Sequence, residues 1–343
     1  MTEQIELLGV NPLPKQTWNY LAINDVKVKV DAPKGPACCI PSRVMAELNM
    51  PCGTQASQYL DQAAKTRRII KIEANTKADK PLVVDVDDET PIASTDITIE
   101  HDSEVTIVIS ATSTNKETKG NNLRIVCGDN TKLTIMSVSY MPGKTTYLEN
   151  VGVSLANNCE LNAYQYLLGA NKCIAGVHVD ANGDNNTFNS FSNYLVDSRN
   201  LTDLNYTADI YGKKSLGDFE ARGVMFNRSK KTLRQTVNMH DGCSGSDGKE
   251  NETVIIAGEN ITNKSIPSIL CHEDDVEGSH GATIGSISKD QLDYLSARGL
   301  DKQDINAMFA NAVAEDALNR VPSDTKAYEL ANRAYTDLSL KEA

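Results

Sequence analysis

The sequence of 343 residues predicts a mainly β fold, a parallel β-helix with small helical regions at its two ends. Three observations predict it. Polar turns followed by strand-like runs recur at residues 101–107, 128–135, 157–163 and 183–190, and aligning Val105, Leu133, Leu161 and Phe188 gives steps of 28, 28 and 27 residues. A period of roughly 20–50 residues marks a solenoid, in which each coil buries its apolar face only by stacking on its neighbours. Val/Ile/Thr runs of alternating polarity fill the chain after Arg68, and the turns between them carry Asn, Asp and Gly with no helical stretch intervening, which favours a β-helix over leucine-rich or propeller repeats.

Taken in order, residues 1–68 mix Pro-broken extended pieces with two short helical patterns, Ser42 to Leu48 and Thr54 to Leu60, each opened by a residue suited to an N-cap. Residues 68–73 and 104–110 alternate as half-buried strands. The period fades after residue 198, so the later coils rest on alternation at 222–226, 233–237 and 253–257. Beyond Gly285 the pattern turns helical. Ser288-Lys289-Asp290-Gln291 is a capping box for a helix that Gly299 should end, and Asp301 caps a second with Ile305, Met308, Phe309, Ala312, Val313 and Ala317 facing inward. Pro322 breaks it, and Ser323 or Asp324 starts a third helix carrying Tyr328, Ala331, Tyr335 and Leu338. Such helices pack on the body or cover the open end of the solenoid. Three parts are expected: a mixed N-terminal region 1–68, a β-helix core 69–285 and a C-terminal helical region 286–343.

Composition narrows the function. With 40% apolar and 23% charged residues the chain is ordinary for a globular protein, and no apolar run approaches the ~20 residues that span a bilayer. The first six residues hold neither a basic nor an apolar export signal, so a cytoplasmic location is expected. Eight cysteines (38, 39, 52, 127, 159, 173, 243 and 271) without framework spacing fit free thiols in a reducing compartment. A net charge of −12 argues against nucleic-acid binding, and the basic clusters at 65–71 and 228–234 read as solvated faces. No Gly-rich phosphate loop with Lys-Ser/Thr, nucleophile elbow or His-Glu-x-x-His helix occurs, so ATP, ester and peptide hydrolysis are not expected.

Chemistry concentrates in residues 269–285. There Cys271, His272, Glu273, Glu277 and His280 place soft, borderline and hard donors in one Gly-hinged segment. Cys271 and His280 are expected to hold iron or a nascent cluster, with Glu273 or Glu277 as an oxygen ligand; imidazole and carboxylate ligation would make such a cluster labile. The bland reading makes Cys271 a small buried hydrophobe and the acids a solvated turn. Cys243, in a Gly-rich loop, is a second candidate as an exposed thiol open to sulfur transfer. That loop and Asp85-Val86-Asp87-Asp88-Glu89 hint at calcium but lack the Asp-x-Asp-x-Asp-Gly spacing. Cys127, Cys159 and Cys173 read as interior strand residues, and Cys38 and Cys39 as inert.

Pro267 with Ile269-Leu270-Cys271, then residues 273–283, then Gln291-Leu292-x-Tyr294-Leu295-x-x-Arg298-Gly299, resembles the C-terminal core of the SUF-system SufB/SufD proteins of iron–sulfur cluster assembly. Leu13-Pro14 with Trp18-Asn19-Tyr20 is similar to the entry word of the SufD branch. The resemblance implies a right-handed parallel β-helix, dimerisation through its end with a second copy or a SufB-like subunit via the strands around 267–283, and docking of a SufC-like ABC ATPase on residues 286–343. It implies that His280 matches a histidine at that subunit interface. Some SufD members carry a cysteine two residues earlier, where this chain has Gly278. The SufB branch has an acid at the place of Gly281 and a cysteine near Ile261. A transient cluster or iron is the implied cargo, and the chain is expected to act as a non-enzymatic scaffold. The rivals are a structural subunit that never touches metal and, of another class, a β-helix enzyme acting on acidic polysaccharide, which the net acidity disfavours.

Overall fold

In the computed structural model, which describes residues 3–34, 41–197, 199–286 and 289–340, the repeated strands stack into two parallel sheets. The lead-in contributes an antiparallel hairpin, β1 (Gln4–Val10) and β2 (Val26–Asp31), and two helices, α1 (Arg43–Glu47) and α2 (Gly53–Ala63). The coils follow as β3 (Arg67–Ile72), β4 (Leu82–Val86), β5 (Ile92–Ile99), β6 (Glu104–Thr112), β7 (Thr118–Cys127), β8 (Lys132–Tyr140), β9 (Thr146–Leu155), β10 (Glu160–Leu167), β11 (Lys172–Ala181), β12 (Thr187–Val196), β13 (Leu201–Ile210), β14 (Leu216–Met225), β15 (Lys230–Met239), β16 (Ser246–Ile256), β17 (Thr262–Cys271) and β18 (Val276–Ser286). Odd strands form one eight-stranded sheet in the order β3 to β17, and even strands form the other from β4 to β18. Each coil therefore adds one strand to each sheet, and the apolar core lies between the two. The expected parallel β-helix is the fold.

The repeat is visible atom by atom. Val105 pairs with Leu133, Leu133 with Leu161, and Leu161 with Phe188, so the four aligned residues form one inward column. The column continues through Gly217, Gly248 and Gly278. Phe188 fills the space its successor vacates: a Cβ on Gly217 would lie 2.3 Å from the Phe188 ring. Each turn holds one residue in the left-handed region, successively Asp102, Asn130, Asn158, Asn185 and Lys214, with φ between 55° and 58°. Asn and Asp tolerate that conformation best, which explains the recurring polar turns. Their side chains form a ladder, Asn130 Nδ2 donating to Asp102 Oδ1 at 2.8 Å and Asn158 Nδ2 to Asn130 Oδ1 at 3.2 Å.

The lead-in packs on the outer face of the odd sheet, with Leu7, Val10, Cys52, Ala56 and Leu60 against Ile92, Leu148 and Ile174. Ser42 caps α1 as expected, accepting from Met45 N at 3.4 Å. Thr54 does not cap α2, which begins one residue earlier behind Cys52 with no side-chain cap. Gly53 adopts φ +81° there, and a Cβ would meet Gly9 O at 2.9 Å, so the close approach of the hairpin dictates the start. The row of polar side chains on this face, Asn122, Asn150 and Asn205, binds the lead-in through Ser57 and the Pro51 carbonyl.

Three helices close the chain: α3 (Lys289–Ala297), α4 (Lys302–Arg320) and α5 (Lys326–Leu340). The α4–α5 hairpin lies along the outer face of the even sheet, where Ala310, Ala314, Ala317, Ala327, Ala331 and Ala334 meet Val108, Val138, Tyr166 and Leu195. It does not cover the end of the solenoid. Within α4 the buried stripe is Ile305, Ala307, Ala310, Ala314 and Ala317, while Met308 and Ala312 face outward, because small residues let the helix settle flat on the sheet. Tyr166 and Tyr140 donate to Asp316 Oδ2 at 2.6 Å and Asp337 Oδ2 at 2.8 Å across that interface. Cys38, Cys39 and the expected cap Ser288 lie outside the described residues. No described helix is long and apolar enough to cross a membrane.

Candidate functional site at the open end of the solenoid

The last coil is β17, a four-residue turn and β18, and each strand is the terminal member of its sheet. Nothing in the described chain stacks on them, so β18 is exposed along most of its length and β17 half-buried. Unpaired edges of this kind template pairing with another chain. Pro267 sits within β17, not at its start, and an edge strand tolerates the missing N–H.

Register places the candidate residues. Cys271 extends the inward column of Met239, a core residue, but is itself exposed. His280 extends the inward column of Glu250, which is fully buried one coil below. Between them Gly278 faces Ile269, the position of a Cβ lying 3.0 Å from Ile269 Cγ2. Glu277 pairs with Asp247, on the outward alternation. Glu273 is engaged otherwise: Oε2 accepts from Gly242 N at 3.0 Å and Oε1 from Asp274 N at 2.9 Å, and these backbone donors hold its carboxyl below the usual range. It pins the final turn to the coil beneath. His272, on the outside of that turn, lies 6.2 Å from the His240 ring.

Cys271, Glu273, Glu277 and His280 do not supply three converging ligand atoms within one chain. Among the described residues the one grouping of three such atoms within 4.8 Å is His178, Asp180 and Asp209, on the outer face of the odd sheet. Cys243 is a correction: it is fully buried, and burial pushes its thiol up, so it is not an exposed thiolate. The acids around Asp85 are taken by Lys326, at 3.0 Å from Asp85 and 3.3 Å from Asp87, and by Lys119, at 3.0 Å from Asp88. Cys127 and Cys173 are interior strand residues as read; Cys159 is buried in the turn before β10.

Beneath the mouth lies a polar interior that residue types alone did not reveal. Glu250 accepts from Val237 N at 2.8 Å and Ser268 N at 2.9 Å, and burial pushes its carboxyl up to about 8 against those donors. Glu252 is contacted by Lys231, Tyr194 and Ser265, all inside the barrel. The signal was parity: in β16 residues 246, 248, 250, 252 and 254 alternate inward, so both glutamates fall on the core side. The interior carries buried polar groups at more than one level, Glu149 on β9 accepting from Ser137, Tyr147 and Gln165, and Glu250 and Glu252 on β16 forming a second such network in the last two coils, beneath one thiol and one imidazole.

Residues 83–313 match the family model described as "SUF system FeS cluster assembly, SufBD core domain". The iron-sulfur cluster assembly protein SufD of Bacillus subtilis is 24% identical over 201 residues, covering 58% of this chain and 46% of that protein. SufD of Escherichia coli is 25% identical over 168 residues, covering 47% and 38%. A SufBD family protein of Synechocystis is 20% identical over 287 residues, covering 79% and 63%. The chain thus spans under half the length of the two SufD proteins.

Proposed function

The chain belongs to the SUF-system FeS cluster assembly family that carries the SufBD core domain, and from that premise we propose that it is a non-enzymatic scaffold component of cluster assembly. The supporting observation is the last coil: Cys271 and His280 lie on inward columns of two adjacent edge strands with no further coil above them. Iron or a nascent cluster is the cargo in this reading, with Cys271 and His280 as ligands and Glu273 or Glu277 as an oxygen donor once the last turn shifts, since Glu273 accepts from three backbone N–H groups and Glu277 faces outward. A second copy or a SufB-like subunit meeting these edges would bring the missing ligands. Residues 69–285 form the scaffold, 1–68 brace its odd sheet, and 286–343 dock a SufC-like ABC ATPase that supplies the energy this chain has no motif to harvest. The place of action is cytoplasmic.

A structural subunit that never binds metal is the second reading, favoured by the absence of cysteine at both Gly278 and Ile261. The test is iron and acid-labile sulfide on the chain co-expressed with its ATPase and purified without oxygen, beside Cys271→Ala/His280→Ala. Iron and sulfide held by the wild type and lost from the double variant support the scaffold. A stable ATPase complex without either element sinks it and leaves the structural subunit.

A further inference from the structure

On the outer face of the odd sheet, five side chains from three successive coils come together. His178 and Asp180 alternate on β11, Asp209 stands directly above Asp180 in register on β13, and Asn238 stands above Asp209 on β15 with His240 just beyond. His178 Nε2 lies 2.9 Å from Asp209 Oδ2 and 3.2 Å from Asp180 Oδ1. His240 Nε2 lies 2.7 Å from the other Asp209 oxygen. The side chains of His178, Asp180 and Asp209 are 11%, 9% and 13% exposed, and that of His240 29%.

We propose that His178, Asp180 and Asp209 bind one divalent transition-metal ion of the Fe(II)/Zn(II) class, with His240 holding Asp209 from outside the ligand set. One imidazole and two carboxylates are a borderline-to-hard donor set, and the imidazole suits those ions over calcium or magnesium. The spacing agrees: two ligands held ~2.0–2.1 Å from one ion at right angles stand about 2.9 Å apart, close to the separations seen.

Protons satisfy this cluster only through shared bonds. The one N–H that His178 Nε2 can carry reaches oxygens of both carboxylates as a three-centre hydrogen bond, which an ion would replace by direct ligation. Asp209 Oδ1, the Asn238 amide nitrogen and His240 Nε2 form a triangle with edges of 2.6, 2.9 and 2.7 Å. His240 Nε2–H and Asn238 Nδ2 can both donate to that one Asp209 oxygen, which has lone pairs for two donors. Turning the amide sets two oxygens 2.6 Å apart instead. Asn238 Oδ1, buried without a hydrogen-bond partner among the described residues, is left free to accept.

Supporting contacts and access are present. Asn49 of the lead-in donates to Asp180 through Nδ2 at 2.9 Å and through its backbone N at 3.4 Å, as outer partners of ligating carboxylates do. His178 and Asp209 border a cavity of about 850 Å³ between the lead-in and the sheet, which gives an ion a path in. The three ligands lie on β11 and β13, whereas His240 just beyond the end of β15 stands 6.2 Å from the His272 ring of the last turn; the site does not depend on the scaffold reading.

The test uses the full chain stripped with chelator and titrated with Co(II) and Zn(II), followed by absorption spectroscopy and calorimetry. The proposal expects one equivalent bound with d–d bands of an N/O site, affinity falling ~100-fold or more in His178→Ala and Asp209→Asn and ~10-fold in His240→Ala, and full binding in Cys271→Ala/His280→Ala. No binding by a folded wild type overturns it and leaves a protonated His178 bridging two carboxylates. Binding that survives His178→Ala, or that disappears with Cys271→Ala/His280→Ala, overturns it equally. Should His178→Ala not fold, Asp209→Asn and the more exposed His240→Ala decide alone.

Discussion

Replacing Glu250 by Gln should change how the stability of the protein depends on pH, and the size of the change can be worked out from its surroundings. The carboxyl is fully buried beneath His280, and burial outweighs two backbone N–H donors to raise it from 4.5 to about 8. Between those values the folded chain binds a proton that the unfolded chain has released, so stability falls as pH rises, by ~1.4 kcal/mol per unit where the difference is complete. The stabilising contribution is whole below about pH 4.5 and is lost as pH climbs toward 8. Between pH 5 and pH 7.5 the loss comes to about 3 kcal/mol. Glutamine does not titrate, so the wild-type minus variant difference should shift by about that amount across the window, whatever constant offset the altered hydrogen bonds add. Urea unfolding at pH 5, 6, 7 and 7.5 measures it. A difference that stays flat within ~0.5 kcal/mol would refute the buried, protonatable carboxyl beneath the mouth.

Three further outcomes follow from the packing. Phe188→Ala should cost ~3–5 kcal/mol in chemical unfolding, and Gly217→Ala, which clashes with that ring in the wild type, should be tolerated far better in the Phe188→Ala background. Lys231→Met should cost ~3–5 kcal/mol by stranding Glu252, while Lys231→Met/Glu252→Gln should recover much of it; equal losses would contradict the buried pair. Tyr166→Phe should lower stability by about 1 kcal/mol and speed amide exchange in 302–320 selectively, because its hydroxyl ties Asp316 to the sheet; unchanged exchange there would show that alanine packing alone holds α4.

How much of this was legible depends on whether the signal was local. The column Val105, Leu133, Leu161 and Phe188 was read in its true register because apolar residues repeat at near-constant steps. It faded where the column turned to Gly217, Gly248 and Gly278 and the steps between those pairs lengthened to 29, 31 and 30 residues. Phe188 of the preceding coil, and Val237 and Ile269 of the facing strands, fill the space, and a hydropathy pattern cannot register a side chain borrowed from elsewhere. On α4, Ile305, Phe309, Val313 and Ala317 were read on the packed side, where they lie, but Met308 and Ala312 were placed where Ala310 and Ala314 pack, because alanine carries the contact and hydropathy favours the larger side chain. The mouth residues sit close in sequence and stood out; the cluster of His178, Asp180, Asp209 and His240 draws on residues about 30 apart, each unremarkable until the coils stack. Cys243 was misread because a Gly-rich loop suggests exposure, whereas the residue joins the apolar core between the sheets.

The resting place of α4 and α5 on the flank has a consequence for symmetry. A solenoid left bare at its last coil can grow in two ways. Head-to-tail stacking, β17 and β18 of one molecule against β3 and β4 of the next, repeats without closing and builds a fibre. Two like ends can meet only about a two-fold axis, with their strands running antiparallel across the seam, and that meeting uses up both ends at once. Bulky helices along one side leave the last coil clear for the second kind of encounter, so the same placement that keeps the end bare also allows the assembly to terminate at two.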